Sequence, residues 1–548
     1  MFGKKRPQLK EPQRFSPLFE TATNAQLTSL NSLFVENPTR FQEFCFELGQ
    51  LKFDFSKTHI TADVLAAFEK LAGNTALFEK RDQLLSGGIV NSTERRPALH
   101  TAVRATNPIP KDSEGNIVAA EILAQRDACY SYAENVRSGE VRAQNGKPYR
   151  YIIHLGIGGS ALGPQLLLDT LAFGLESDFE THCVANVDGH ALKPVMDACD
   201  PAETLVIVAS KTFTTTETLS NARALMQWMS DAGVDSPFQQ LAAVTAAPDQ
   251  AKAFGISESS IMTFPEGLGG RYSIWSSVSL VAIIVLGKQA FESMRAGAEL
   301  MDNHFAKAPA QENIPLIAAM LDLWYGNSWG APTRALFAYD SRLSVLVQYL
   351  QQLEMENNGK NISSEGTEIN WQSSPILWGG VGTDSQHAVF QLVHQGTHLI
   401  PTEFIAVLKA EHDLDEHHRC LLANCFAQSA ALMKGRTTEE AAARLTDDSI
   451  STEQKQLLSR SKTFSGNRPS TTIVLDALNP ESLGSLIAFY EHRSFVSGTL
   501  WEINVFDQMG VELGKELAKS YQEIIESGDF GSLGLDSSTK NLLGLVLD

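Results

Sequence analysis

The chain lacks the features that would tie it to a membrane, an oxidising compartment or a polyanion. No stretch of its 548 residues is long and apolar enough to span a bilayer. Cysteine is scarce and scattered: Cys45, Cys129, Cys183, Cys199, Cys420 and Cys425 form no C-x-x-C pair, so reduced thiols are expected rather than disulfides or a zinc cluster. Positive charge is in deficit. The formal net charge of −20 argues against nonspecific nucleic-acid binding, though not against a local cationic pocket for a small anion. Low-complexity tracts and solenoid-length repeats are absent. The basic start, Met1–Pro7, is followed by no apolar signal core, which makes a cytoplasmic location the default expectation.

What is present is the composition of an ordinary globular protein, over a length that exceeds one core. Residues 20 to about 85 carry apolar residues at helical spacing, with few strand-like runs. A turn around Asn107–Pro110 leads into a helix near 116–138. The texture then changes. Short apolar runs at 151–155, 181–187, 204–209 and 240–245 alternate with helix-length segments, as a parallel sheet with crossover helices requires. A second alternation runs through 334–339, 376–378, 403–408 and 471–475. The expectation is an α/β fold with two lobes, 115–285 and 310–500. A helical N-terminal region (1–114) and a C-terminal helical arm (501–548, with a helix at about 505–527) flank them.

Two loops invite an anion. Gly156-Ile157-Gly158-Gly159-Ser160-Ala161 follows a strand and opens a helix, where glycine permits close backbone approach and the free amides favour negative charge. Gly156, Gly158 and Ala161 also fit G-x-G-x-x-A, and Asp188 ends the next strand where a ribose-binding acid would sit, so a dinucleotide enzyme is a competing reading. Ser160 and Pro164 pull the other way. Pro164 suits a first helical turn, which would start that helix later than the dinucleotide pattern wants. The second loop, Ser210–Thr218, places five hydroxyls in its first eight residues after the apolar run Leu205–Ala209. It is either a dense donor set for a phosphate dianion or a Ser/Thr-rich helix cap. Two such loops at successive βα connections favour a monophosphate ligand at the carboxyl edge of one sheet.

The charged candidates are Arg271, Glu356, His387 and Lys515. Arg271 follows the flexible Gly269-Gly270 turn and is suited to holding a phosphate or an oxyanion; a solvated surface arginine is the alternative. Glu356 lies at a helix end before Asn357-Asn358-Gly359 and is a candidate general base. Glu354 has the same chemistry on another helical face, and periodicity does not choose between them. His387 lies just after a glycine-rich turn. His394 and His398 are four apart, but Gln395 stands where a zinc-protease motif needs Glu, so a packing or capping role is expected. The cluster Glu411–His418 reads as a solvated face. Gln508 and Lys515, seven apart, would share one helical face.

Taken together, the segments Gly156–Pro164, Ser210–Thr218, Gly269–Ser273, Met355–Lys360, Gln386–Ala388 and Phe506–Lys515 resemble the phosphoglucose isomerase family along nearly the whole chain. Asn91–Arg96 with Leu99-His100 is similar to its N-terminal signature. The resemblance implies two sugar-isomerase-type (SIS-type) three-layer αβα lobes and a homodimer with active sites at the interface. It implies interconversion of glucose 6-phosphate and fructose 6-phosphate in glycolysis and gluconeogenesis, with no metal or cofactor. It also implies that Ser160, Ser210, Thr212, Thr215 and the Lys211 backbone hold the phosphate, with Gly159 and Gly270 beside the substrate. Glu356 would shuttle a proton between C2 and C1 through a cis-enediol, and Arg271 would stabilise its charge. His387 from the neighbouring subunit and Lys515 would assist ring opening, and Gln508 would contact the sugar. Three positions depart from the family pattern: Ala161 where many members have Asp, Asn357 where Ser is common, and Pro97 inside the N-terminal signature.

Overall fold

The computed structural model describes residues 15–107, 118–447, 449–531 and 534–547. Met1–Pro7 and Pro108–Pro110, singled out in the sequence, lie outside them. The chain divides into two units, one through Val505 and one from Phe506 onward. In the first, the strands in chain order are β1 Cys45–Leu48, β2 Leu51–Asp54, β3 Ile89–Asn91, β4 Arg96–Pro97, β5 Tyr151–Leu155, β6 Glu180–Val184 and β7 Thr204–Ala209. They continue as β8 Leu241–Thr245, β9 Ile261–Thr263, β10 Thr333–Tyr339, β11 Ile376–Val381, β12 Thr402–Lys409 and β13 Ser470–Ala477.

One sheet is fully parallel, in the order β6-β5-β7-β8-β9. Its central strand β7 is buried along its whole length, which is why residues 204–209 read as a continuous apolar run rather than an alternating one. Ile153, Val206, Val208 and Ala243 pack there against Leu225 and Met229 of the helix Thr216–Asp231. The chain adds β6 on one side of β5 and then crosses to add β7 on the other. The carboxyl ends of β5 and β7 therefore flank a topological switch point, where open α/β sheets bind ligands.

The second sheet has the order β1-β2-β13-β12-β10-β11. Strands β13, β12, β10 and β11 are mutually parallel, and β2 is antiparallel to β13. The β1–β2 hairpin corrects the helical reading of residues 20–85. It turns at Gly49, in a left-handed conformation, and sets Leu51 and Phe53 opposite Leu475 and Ile473. Strands of four residues are too short to establish a two-residue period against the helices around them. The rest of the region is largely helical as expected. A helix over Pro480–Leu500 is buried along almost its whole length and crosses Lys288–Lys307 in close backbone contact. A Cβ on Gly297 would come within 1.9 Å of Glu481 O, and one on Gly484 within 1.9 Å of Met294 O.

The second unit is helical, as Glu512–Ser527 and Ser537–Leu547. Its first helix starts later than the expected 505. Among the described residues no helix is long and apolar enough to cross a membrane. All six cysteines are free thiols.

Candidate active site

The two hydroxyl-bearing loops leave the carboxyl ends of β5 and β7, on either side of the switch point. In the first, Gly158 takes a left-handed backbone, φ 54°, and the helix Gly159–Leu171 starts immediately. The expected later start is wrong: Ser160 is in the first turn and Pro164 lies inside the helix. Proline has no N–H for the carbonyl four residues earlier, which is that of Ser160. His154, the fourth residue of β5, supplies the missing donor, with Nε2 2.7 Å from Ser160 O. His154 is fully buried, and burial pushes its pKa down to about 4, so it is a neutral donor at pH 7. Sequence reasoning passed over His154; the signal was a histidine in a buried strand ten residues before a proline.

The second loop turns through Phe213, whose φ of 53° is costly for a bulky residue. That conformation sends the Phe213 ring into the core and leaves Thr212 and Thr214 exposed on either side. Their hydroxyls are 2.7 Å apart, and Ser210 Oγ is 3.0 Å from Thr215 Oγ1. Thr215 is the N-cap of the helix Thr216–Asp231, but its side chain makes no capping bond, so the hydroxyl is not spent on the helix. Lys211 Nζ donates to Leu268 O at 3.0 Å, and burial lowers its ammonium pKa to about 8.

Two segments converge on the glycine loop. A Cβ on Gly159 would lie 2.1 Å from both the carbonyl carbon and oxygen of Gly270, so the loop touches the Gly269-Gly270-Arg271 turn backbone to backbone. Ser273 Oγ bridges the contact, 3.2 Å from Gly159 O and 2.6 Å from Gly270 O. From the other side Gln352 leans over Gly158, where a Cβ would be 2.8 Å from Gln352 Nε2. Gln352 belongs to a π-helical turn, Gln351–Glu356, that ends the helix beginning at Leu346. Such a turn inserts one residue into the helical register and often re-aims a side chain at a functional site.

Glu356 closes that turn. Its Oε1 is 3.0 Å from Arg271 Nη1, with the arginine side chain 1 % and the glutamate 19 % exposed. Arg271 is further anchored by Nη2 donating to Val505 O at 2.7 Å and Nε donating to Asn357 Oδ1. A partly open carboxylate thus meets a buried, fixed guanidinium. One group can take a proton and the other can meet negative charge as it develops. Glu354 points elsewhere, into a buried cluster with Arg334, Asp322, Glu403 and Arg493. Lys360 Nζ donates to the carbonyls of Glu356, Asn357 and Asn504, closing the helix end.

The remaining candidates are not gathered here within the first unit. His387 is exposed on the helix Asp384–Gln395 and lines a groove of about 880 Å³ with Phe390, His394, Gln428 and Arg436. His394 packs as expected, with Nε2 2.8 Å from Gln428 Oε1. Asp188 caps its own helix, accepting from His190 N at 2.9 Å. Gln508 and Lys515 belong to the second unit. The shared helical face expected for them does not form: Gln508 precedes the helix, with φ −152°, and Lys515 is in its first turn. Among the described residues no group of three or more His, Cys, Asp or Glu is arranged to hold a metal ion. Of the three departures, Ala161 and Pro97 are buried and Asn357 is fully buried between Arg271 and Tyr272.

The family model described as phosphoglucose isomerase matches residues 54–543. A glucose-6-phosphate isomerase of Rhizorhabdus wittichii is 46% identical over 522 residues, 95% of this chain and 97% of that one. One of Sphingopyxis alaskensis is 44% identical over 536 residues, 97% and 99% of the two chains. Among solved structures, a glucose-6-phosphate isomerase from Chlamydia trachomatis superposes with a TM-score of 0.83 at 30% identity, covering 98% of this chain and 99% of that one.

Proposed function

The chain belongs to the phosphoglucose isomerase family, and from that premise we propose that the residues gathered at the β5–β7 switch point form the active site where it interconverts glucose 6-phosphate and fructose 6-phosphate. The observation that carries the reading is that one turn, residues 268–271, touches both hydroxyl loops, at Gly159 and through Lys211, and presents Arg271 to Glu356. This is the aldose–ketose step shared by glycolysis and gluconeogenesis.

In this reading the phosphate is held by Ser160, Ser210, Thr212, Thr215 and the Lys211 backbone, close to Gly159 and Gly270. The open-chain sugar then lies toward Glu356. A proton alpha to a carbonyl is weakly acidic, so its removal needs a base and an oxyanion stabiliser acting together. Glu356 takes the proton from C2 of the aldose and returns it to C1, by way of a cis-enediol, and Arg271 meets the negative charge on the oxygens. One carboxylate reaches both carbons, so no second base is required. Ring opening needs a proton moved between the ring oxygen and the anomeric hydroxyl, which His387 and Lys515 perform, with Gln508 contacting the sugar.

The exposure of His387, in a groove that holds none of the other site residues, supports its delivery to the site of a second copy in a homodimer. We place the enzyme in the cytoplasm, divided into a region 1–114, lobes at 115–285 and 310–500 built on the two sheets, and an arm from 501. Purified protein supplied with glucose 6-phosphate and no nicotinamide cofactor should form fructose 6-phosphate. Binding of fructose 6-phosphate without conversion would instead make the protein a sugar-phosphate sensor, and a requirement for nicotinamide would restore the dinucleotide reading.

A further inference from the structure

Asn357 is the departure from the family pattern that falls inside the site, and its contacts are specific. It is fully buried. Its Oδ1 accepts from Arg271 Nε. Its Nδ2 donates to Tyr272 OH at 2.6 Å and to Ser494 Oγ at 2.8 Å. The arginine can only donate, so the amide has one orientation, oxygen toward Arg271 and nitrogen toward the two hydroxyls. Tyr272 is in turn stacked on His100, with ring centroids 4.3 Å apart, and Ser494 belongs to the buried helix Pro480–Leu500.

We propose that Asn357 is a positioning residue for the isomerisation: it fixes the guanidinium of Arg271 in the plane from which that group meets the charge of the intermediate. The inference rests on the role given to Arg271 above. Asn357 follows Glu356 directly, so the last residue of the π-helical turn and the residue that caps it are the proton carrier and the holder of the anion stabiliser. The separation of base and guanidinium is therefore set by a single rigid segment. The Nε–H bond to Asn357 and the Nη2–H bond to Val505 O together define the guanidinium plane, and Nη1 is directed toward Glu356. Without Asn357 the side chain keeps its charge and its Nη contacts to Val505 O and Glu356 but loses the hold on its Nε–H, so the guanidinium is fixed less tightly. A serine there, shorter than asparagine, does not reach all three partners at once.

The test is a double-mutant cycle with Arg271→Lys, because lysine has no Nε–H for Asn357 to hold. In the parent background Asn357→Ala should lower kcat about 10- to 100-fold with KM changed less than about threefold, since the residue touches no substrate. It should weaken a five-carbon aldonate phosphate, whose carboxylate mimics the enediolate, by a similar factor. In the Arg271→Lys background the same change should cost less than about threefold. An equal loss in both backgrounds, or no loss in the parent, overturns the inference. Wild-type turnover by Arg271→Lys alone would instead overturn the role given to Arg271. Should Asn357→Ala fail to fold, as thermal denaturation would reveal, Asn357→Leu, which keeps the volume and removes the amide's bonds to Arg271, Tyr272 and Ser494, serves in the same cycle under the same criteria.

Discussion

Replacing Gly159 with alanine tests whether the site is held together by backbone contact. The added methyl would sit 2.1 Å from the carbonyl carbon and oxygen of Gly270 and 2.6 Å from Arg271 N. These are backbone atoms, so no side chain can rotate away. To reach the 3.0 Å below which Cβ contacts essentially never occur, the glycine loop and the Arg271 turn must separate by about 1 Å. Ser160 travels with one and Arg271 with the other, so the proposed phosphate and oxyanion sites drift apart by that distance. A misplacement of about 1 Å costs on the order of a hundredfold in rate, equivalent to about 2.7 kcal/mol of barrier. Overpacking of this kind costs about 1–3 kcal/mol of stability, so the variant should still fold. The assay is kcat/KM on glucose 6-phosphate beside a thermal melt. Gly270→Ala is the companion variant: its methyl meets nothing within 4 Å in the protein, so any loss there resides in KM, through contact with the ligand. A Gly159→Ala enzyme with parental kcat/KM would refute the reasoning.

Glu354→Gln should keep kcat within about threefold, because Glu354 faces a buried cluster in which Asp322, Glu354 and Glu403 outnumber Arg334 and Arg493. Burial raises its pKa, and the neutral amide relieves the excess negative charge; a stability loss above about 2 kcal/mol in a melt would contradict this. Acid should destabilise the fold through His59 and His154, both fully buried and both lowered to about 4 by burial. The unfolded chain takes up these protons near pH 6.5 and the folded one does not, so the stability is complete above pH 6.5 and is lost as pH falls toward 4, by up to about 3 kcal/mol per residue. His154→Asn should therefore lose less Tm between pH 7 and 4.5 than the parent, and an identical slope would count against a neutral buried imidazole. The same variant weakens the donor to Ser160 O and should raise KM for the sugar phosphate several-fold.

Much of this architecture was legible before the fold. The parallel strands declared themselves because each is a short, apolar, doubly buried run, as β7 is along its whole length. The hydroxyl loops and the Gly269–Arg271 turn were legible because their chemistry is local. The β1–β2 hairpin was not, since its pairing partner β13 is over 400 residues away and four-residue strands carry no usable period. The helix start at Gly159 was misplaced because Pro164 is tolerated inside the helix only with His154 as substitute donor, a tertiary contact no local rule anticipates. The choice of Glu356 over Glu354 likewise depends on a π-helical turn that breaks the ordinary helical register. Family resemblance singled out Glu356; in the structure its carboxylate meets Arg271 at 3.0 Å, whereas that of Glu354 meets Arg334.

Hydrogen exchange with solvent tests the central role of Glu356 most directly. The enzyme is incubated with fructose 6-phosphate in deuterated water, and deuterium at C1 is followed by NMR. The parent should incorporate deuterium because the carboxylate exchanges its proton with solvent between the two transfers. Glu356→Gln, which keeps the shape and loses the base, should incorporate none above background while still binding fructose 6-phosphate. Incorporation by Glu356→Gln at the parental rate would show that another group carries the proton.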